Sequence, residues 1–280
     1  MLPNVTDVFR PESIGEALKI LKKGKGKAVP LAGATALAAS ENPAIEALVD
    51  LSSLKLDYIK SSPSGLLVGA MATLEEVARS KAAQKYASGV VASACASVGK
   101  ITNRNMITAG GNAVQLHPWS AIPVAALALD AKITLASPAK KSVTAAEFFA
   151  KPPRQILSFD KIVTEISFPK DFAAASAKYV KLALTENDYP LISVCVVSKI
   201  KAGKIATIRI VAGALTLAPQ RFTSAEKILA GQSPDGKLVA EASRLAAEEA
   251  VIGNDIRVSK EYKKKTLVKI IESALADILR

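Results

Sequence analysis

Between Asn105 and Leu129 the chain runs for 25 residues without a formal charge, and this stretch narrows its folding options most. A membrane-spanning helix needs about 20 consecutive apolar residues, so length alone would permit a span. Gly110–Gly111, Pro118 and Pro123 interrupt the run, however, and Asn112, Gln115 and His117 would have to be desolvated in a bilayer. It therefore reads as interior or site-lining polypeptide, rich in backbone and amide hydrogen-bonding groups. The N-terminal sequence lacks a basic segment followed by an unbroken apolar core, so no secretory signal is expected. Cys95 and Cys195 lie far apart with no CxxC spacing, which supports neither a disulfide framework nor a metal or iron–sulfur site within the chain. A reducing cytoplasm suits them.

The formal net charge of +12 raises the question of nucleic acid. Its 37 basic residues are scattered, aromatics make up 5%, and no nucleic-acid motif is present. The densest basic segment, "SKEYKKKTLVKIIESALADILR", places Leu267, Ile270, Ile271, Ala274, Leu275 and Ile278 at helical spacing, so its lysines form the solvated face of an amphipathic helix. Positive charge of this kind also suits docking of an acidic partner subunit.

The 280 residues have a globular composition and room for two domains. Patterning predicts a helix over Pro11–Lys23, strands at Ala28–Leu31, Ala47–Leu51 and Leu66–Ala70, and helices at Ser88–Val98 and Ser120–Leu129. Strands at Ala131–Leu135 and Lys161–Phe168 follow, and Thr73 with Glu76 and Thr144 with Glu147 are candidate capping boxes. Beyond Lys170–Ala175 the texture changes to three β-rich segments, Lys178–Leu184, Leu191–Ile200 and Lys204–Leu215, the last two joined by a tight "KAGK" turn. Helices at Ser224–Ala230, Lys237–Val251 and Ser259–Leu279 close the chain. The expected fold class is α+β, with a boundary near residue 172: a first domain over 1–172, subdivided at about 56, and an α+β domain over 173–280.

Familiar motifs fail on context. "GQSPDGK" has Leu238 where a phosphate-binding loop needs Ser or Thr, and a helix precedes it. "GKGKAV" lacks the third glycine of a dinucleotide turn and runs from helix to strand. No serine sits in GxSxG, so a hydrolase triad would depend wholly on His117, the single histidine. Two small-residue segments remain. "PLAGATAL" (Pro30–Leu37) and "TAGGNAVQ" (Thr108–Gln115) each offer hydroxyls and successive backbone N–H groups with little bulk, which suits an anion such as pyrophosphate. Either one alone is more often an ordinary tight turn than a site.

Several blocks together carry a resemblance. "FRPESIGEALKILKKGKGKAVPLAGATAL", "RNMITAGGNAVQLHPWSAIPVAALALDAKITL", "DKIVTEISFP", "YVKLAL", "VAGALTLAPQR" and "DIRVSKEYKKKTL" occur in the order found in one family. The chain resembles the FAD-binding medium subunit of molybdopterin-containing dehydrogenases of the xanthine dehydrogenase and carbon monoxide dehydrogenase type. The resemblance implies two α/β subdomains clasping FAD, then a domain with a small antiparallel sheet and helices. It implies FAD contacts from Leu31, Ala32, Gly33, Ala34, Thr35, Ala36 and Leu37, and from Thr108, Ala109, Gly110, Gly111 and Asn112. Val163 would touch the flavin and Lys181 would lie near its ring system, where positive charge stabilises the reduced cofactor.

Four positions depart from the family pattern: Ala34 and Ala36 in a loop that commonly reads Gly-Gly-Thr-Asp, Ala121 in place of an aspartate that the resemblance implies as a cofactor contact, and Thr185 where an arginine is usual. Ala34 fits only if its φ is negative or the loop has adjusted. His117, Gln115 or Trp119 stand close enough in sequence to compensate, Trp119 by stacking. The implied function is electron transfer: substrate chemistry at a molybdenum cofactor in a large partner, iron–sulfur clusters in a small partner, FAD here, and an external acceptor such as NAD. No catalytic residue and no metal ligand is then expected in this chain. The alternatives are an interaction subunit that has lost FAD, and a stand-alone FAD oxidoreductase, which the lack of an acid–base constellation disfavours.

Overall fold

The computed structural model describes residues 2–137 and 141–279, and helices and strands are interleaved along the whole of it. Three sheets organise the molecule. The first is parallel and three-stranded, built from β1 (Asp7–Phe9), β2 (Ala28–Leu31) and β3 (Ala47–Asp50) in the order β1-β3-β2. Helix α1 (Ile14–Gly24) links β1 to β2. It starts where the Ser13 hydroxyl accepts the Glu16 N–H and ends at Lys25, which takes the left-handed conformation. Ala17 and Leu21 point into a core shared with Val49, Leu51 and Leu56.

The second sheet contains β4 (Ile59–Ser62), β5 (Gly65–Gly69), β6 (Lys132–Ala136), β7 (Lys141–Thr144) and β8 (Ile162–Pro169), ordered β4-β5-β8-β6-β7. Every pairing in it is antiparallel, a feature that strand–helix alternation does not fix. Between β5 and β6 come α2 (Leu74–Arg79), α3 (Lys81–Lys85), α4 (Val90–Ala96), α5 (Ile101–Arg104), α6 (Ala109–Gln115) and α7 (Ala121–Ala128). Between β7 and β8 come α8 (Ala145–Phe149) and α9 (Pro153–Leu157). Both expected capping boxes form, Thr73 with Glu76 and Thr144 with Glu147.

The third sheet is antiparallel: β9 (Ser176–Leu182), β10 (Ile192–Lys201), β11 (Lys204–Gly213) and the short β12 (Gln220–Arg221), ordered β12-β11-β10-β9. Helices α10 (Thr223–Leu229), α11 (Gly236–Glu249) and α12 (Lys260–Ile278) complete the chain. Strand β10 explains why its middle, Val194–Val197, is apolar without alternation. Val194 and Val196 join a core with Leu267, Ile271 and Leu275 of α12, whereas Cys195 and Val197 face the core that holds Ile122 and Val124 of α7. A strand covered on both faces needs no polar alternation.

Candidate functional site

Where β2 ends, the chain turns through residues 32–40 in a loop of small side chains. Ala38 N–H donates to Ala34 O at 2.8 Å and Ser40 N–H to Leu37 O at 2.9 Å. Among the described residues, the N–H groups of Gly33, Ala34, Thr35, Ala36 and Leu37 meet no acceptor in the chain. Gly33 is indispensable for a steric reason: a Cβ there would lie 1.6 Å from Met106 O. Ala34 does not have a negative φ. At φ 57° it occupies the left-handed region, so the loop keeps a glycine-type conformation at a strain of about 1 kcal/mol.

The second small-residue segment behaves differently. Thr108 caps α6 and its hydroxyl accepts Gly111 N–H at 3.1 Å. Ala109 N–H donates to Ala72 O at 2.8 Å, Gly110 N–H to Ala70 O at 2.9 Å, and Asn112 N–H to Thr108 O at 2.9 Å. The expectation that bare N–H groups of this segment would hold pyrophosphate is therefore corrected: from Ala109 to Asn112 every one already has a partner. Gly110 and Gly111 serve close packing instead, since Cβ atoms there would come 2.7 Å from Ala70 Cβ and 2.8 Å from the Thr108 hydroxyl. Asn112 is buried, and its Oδ1 accepts Ile122 N–H at 3.0 Å, which caps α7.

After α6 the chain reverses through Leu116, at φ 45°, and His117, whose N–H donates to the Ser120 hydroxyl at 3.1 Å. The His117 ring stacks on Trp119 with centroids 4.8 Å apart, and Trp119 stacks on Tyr189 at 4.2 Å. Burial, reinforced by nearby Arg154, holds the imidazole pKa below its usual value. Lys181, on β9, gives all three of its protons to carbonyls: Ser97 O at 2.7 Å, Glu186 O at 2.7 Å and Asp188 O at 3.1 Å. Burial lowers its pKa, while Glu186 and Asp188 pull the other way.

These segments converge on one cleft of about 760 Å³. Ala32, Gly33, Ala34, Thr35, Ala36 and Leu37 form one wall, and Thr108, Gly110, Gly111, Asn112, His117, Val163 and Lys181 line the rest. Leu31, Ala109 and Ala121 are not part of the lining. Ala109 is buried under it, and Ala121 is 1% exposed, packed against Ala94 and Ala125, so a methyl fills the space there and no polar contact is available.

A family profile described as the FAD binding domain in molybdopterin dehydrogenase matches residues 4–171, and one described as the CO dehydrogenase flavoprotein C-terminal domain matches residues 177–278. The chain belongs to the molybdopterin dehydrogenase flavoprotein family. Over 283 residues it is 28% identical to the glyceraldehyde dehydrogenase medium chain of Sulfolobus acidocaldarius, covering 99% of this chain and 100% of that one. It is 24% identical over 284 residues to the carbon monoxide dehydrogenase medium chain of Hydrogenophaga pseudoflava, covering 98% and 97%. A structure described as reconstituted CO dehydrogenase from Oligotropha carboxidovorans superposes with a TM-score of 0.91 at 25% identity, covering 99% of both chains. These relatives are subunits of dehydrogenases, so this flavoprotein-family chain is an oxidoreductase component.

The cleft fits the cofactor the family's FAD-binding domain implies. Its volume falls within the roughly 300–1,000 Å³ of ligand clefts. Five successive N–H groups without acceptors make an anion-binding concavity that a dinucleotide's pyrophosphate can satisfy. Sequence reasoning missed Arg154, Lys161, Tyr179 and Tyr189 in the lining. Tyr179 could have been found, because it stands two residues before Lys181 on the same face of a strand. Burial pushes its phenol up to about 12. Among the described residues no group of three or more His, Cys, Asp or Glu could hold a metal, and no helix is long and apolar enough to cross a membrane.

Proposed function

We propose that this chain is the FAD-carrying medium subunit of a molybdenum-dependent dehydrogenase. A large molybdopterin subunit performs the substrate chemistry, and a small iron–sulfur subunit exchanges electrons with the flavin. In this reading residues 1–172 form the FAD domain, residues 173–280 the second domain, and the assembly works in the cytoplasm. An external acceptor such as NAD drains the electrons. The observation that carries the reading is that Gly33–Leu37, whose N–H groups meet no acceptor among the described residues, line a dinucleotide-sized cleft.

FAD supplies, when bound, the exchange of electrons singly or in pairs. The chain's own residues bind, orient and desolvate. Gly33–Leu37 would donate to the pyrophosphate without any lysine, and exposed Arg154 and half-buried Lys161 add positive charge to the cleft. Val163, with 6% of its surface exposed, excludes water from the ring end. Lys181 acts as a fixed point charge and not as a hydrogen-bond donor, because three carbonyls hold its protons. Such a charge favours a reduced, anionic ring system and raises its potential.

The purified chain is expected to show flavin absorption bands, or to gain them when FAD is added. No bands and no uptake would overturn the reading in favour of an interaction subunit without cofactor. For the acceptor, rapid mixing of the reduced complex with NAD is expected to restore the oxidised flavin spectrum; no oxidation would remove NAD from the scheme.

A further inference from the structure

We propose that Arg257 is a positioning residue for the mouth of the cleft: fixed by Asp255 and by the buried Lys263 behind it, it holds the main chain at Tyr189 and Pro190 and so sets the Tyr189 ring against Trp119. Arg257 Nη1 donates to Tyr189 O at 2.8 Å and Nη2 donates to Pro190 O at 3.1 Å. The same guanidinium grips Asp255 through Nε at 2.9 Å and Nη2 at 2.8 Å. The other partner of Asp255 is Lys263, only 2% exposed, whose ammonium lies 2.9 Å from the carboxylate and 2.9 Å from Ala214 O. A buried ammonium is costly unless fully paired, so Lys263 fixes Asp255 against the end of β11. Arg257 is thus aimed before it meets the loop, and its planar fork spans two carbonyls that a lysine could not bridge equally.

From the other side, Lys181 holds the Glu186 and Asp188 carbonyls. A tight turn closes between them, with Thr185 N–H donating to the Asp188 carboxylate at 3.1 Å. The carbonyls of Glu186, Asp188, Tyr189 and Pro190 are therefore shared between two cations from different parts of the fold. Tyr189, between the two grips, is 58% exposed and packs its ring on Trp119. More than half exposed, the ring takes its place from the main chain that carries it.

The effect on cofactor retention rests on the FAD reading above, whereas the ring contact does not. Trp119 is the single tryptophan, so its emission reports the contact directly. Tyr189→Ala sets the end point, with emission and anisotropy clearly different from wild type. Arg257→Gln is expected to move both most of the way to that end point and to speed FAD dissociation about tenfold, with far-UV circular dichroism unchanged. Arg257→Lys is expected to fall between, and Asp255→Asn, a second route to the same effect, to match Arg257→Gln. Wild-type emission in Arg257→Gln, or in Tyr189→Ala itself, would overturn the proposal. Loss of folding in both Arg257→Gln and Asp255→Asn would also overturn it, since the group would then serve the whole fold. If wild-type chain takes up no FAD, the FAD reading fails while Trp119 emission still decides the role of Arg257.

Discussion

Pro30–Leu37 and Thr108–Gln115 look alike as strings of small residues, hydroxyls and glycines, yet they do opposite things with their backbone. The first lines the cleft with five N–H groups, from Gly33 to Leu37, that meet no acceptor among the described residues, while the second spends those of Ala109–Asn112 on Ala72, Ala70 and Thr108. The difference lies in what arrives from elsewhere. The carbonyls of Ala70 and Ala72, just past β5, reach the start of α6, and Thr108 supplies the remaining acceptors through its hydroxyl and its carbonyl. Beside residues 33–37 the near neighbour is Met106 O, which crowds Gly33 without receiving a proton from it. A bulk-free loop is thus open to a ligand only if tertiary structure leaves it so.

The contrast can be broken most severely at Gly110. Gly110→Ala puts a Cβ 2.7 Å from Ala70 Cβ and 2.9 Å from Ala70 O, and overpacking of this kind costs about 2 kcal/mol. The loss should be equal with and without FAD in denaturant unfolding; a loss confined to the cofactor-bound protein would contradict a packing role. Gly33→Ala comes next. Its Cβ cannot coexist with Met106 O, so the loop must shift and carry its donors with it. FAD affinity is expected to fall about tenfold, or ~1.4 kcal/mol, in a fluorescence titration, with a smaller change in cofactor-free stability.

A gentler change sharpens the comparison. Ala34→Gly relieves left-handed strain of about 1 kcal/mol, partly offset by the roughly 0.5–1 kcal/mol entropic cost of glycine, for a net gain of a few tenths. A higher unfolding midpoint with FAD affinity intact would show that the loop already has its binding shape. The smallest effect is one of pH at His117, beyond the end of α6. Its pKa when folded lies below the usual 6.5, so the unfolded chain binds more protons between the two values. Stability is full above about 6.5, declines as pH falls toward the folded pKa, and then levels off. His117→Gln should flatten that decline when midpoints at pH 7.5 and 5.5 are compared.

Much of the architecture was legible because its causes are local. The capping boxes at Thr73 and Thr144 need only residues three apart, and α1, α12 and the β10–β11 turn follow from periodicity. Helix α6 was not legible: two adjacent glycines argue against a helix, and the carbonyls that support its first turn come from Ala70 and Ala72, far back in sequence. The cleft was legible where small residues advertise it, at Gly33 and Gly111, whereas Lys181 was found only through the family resemblance, since a lysine on a strand looks the same at any surface. Tyr189 and Arg257 were not, because 68 residues separate them and neither belongs to a short motif. Ala121 could be misread for a related reason. The resemblance implied a contact there, but Ala121 is buried with Ala125 of its own helix against Ala94.

Strand β10 has one more consequence. Since Cys195 and Val197 belong to the same core as Phe168 and Phe172, while Val194 and Val196 belong to the core beneath α12, the strand is a party wall between two rooms. Neither room can be demolished without opening the other to the weather. A chain ending at residue 175 would leave Ile122, Val124 and their neighbours without a cover, and a fragment starting there would carry bare apolar residues on the outer face of its sheet. Attempts to express either half alone should yield insoluble protein, and soluble halves should be recovered only when both are made in the same cell.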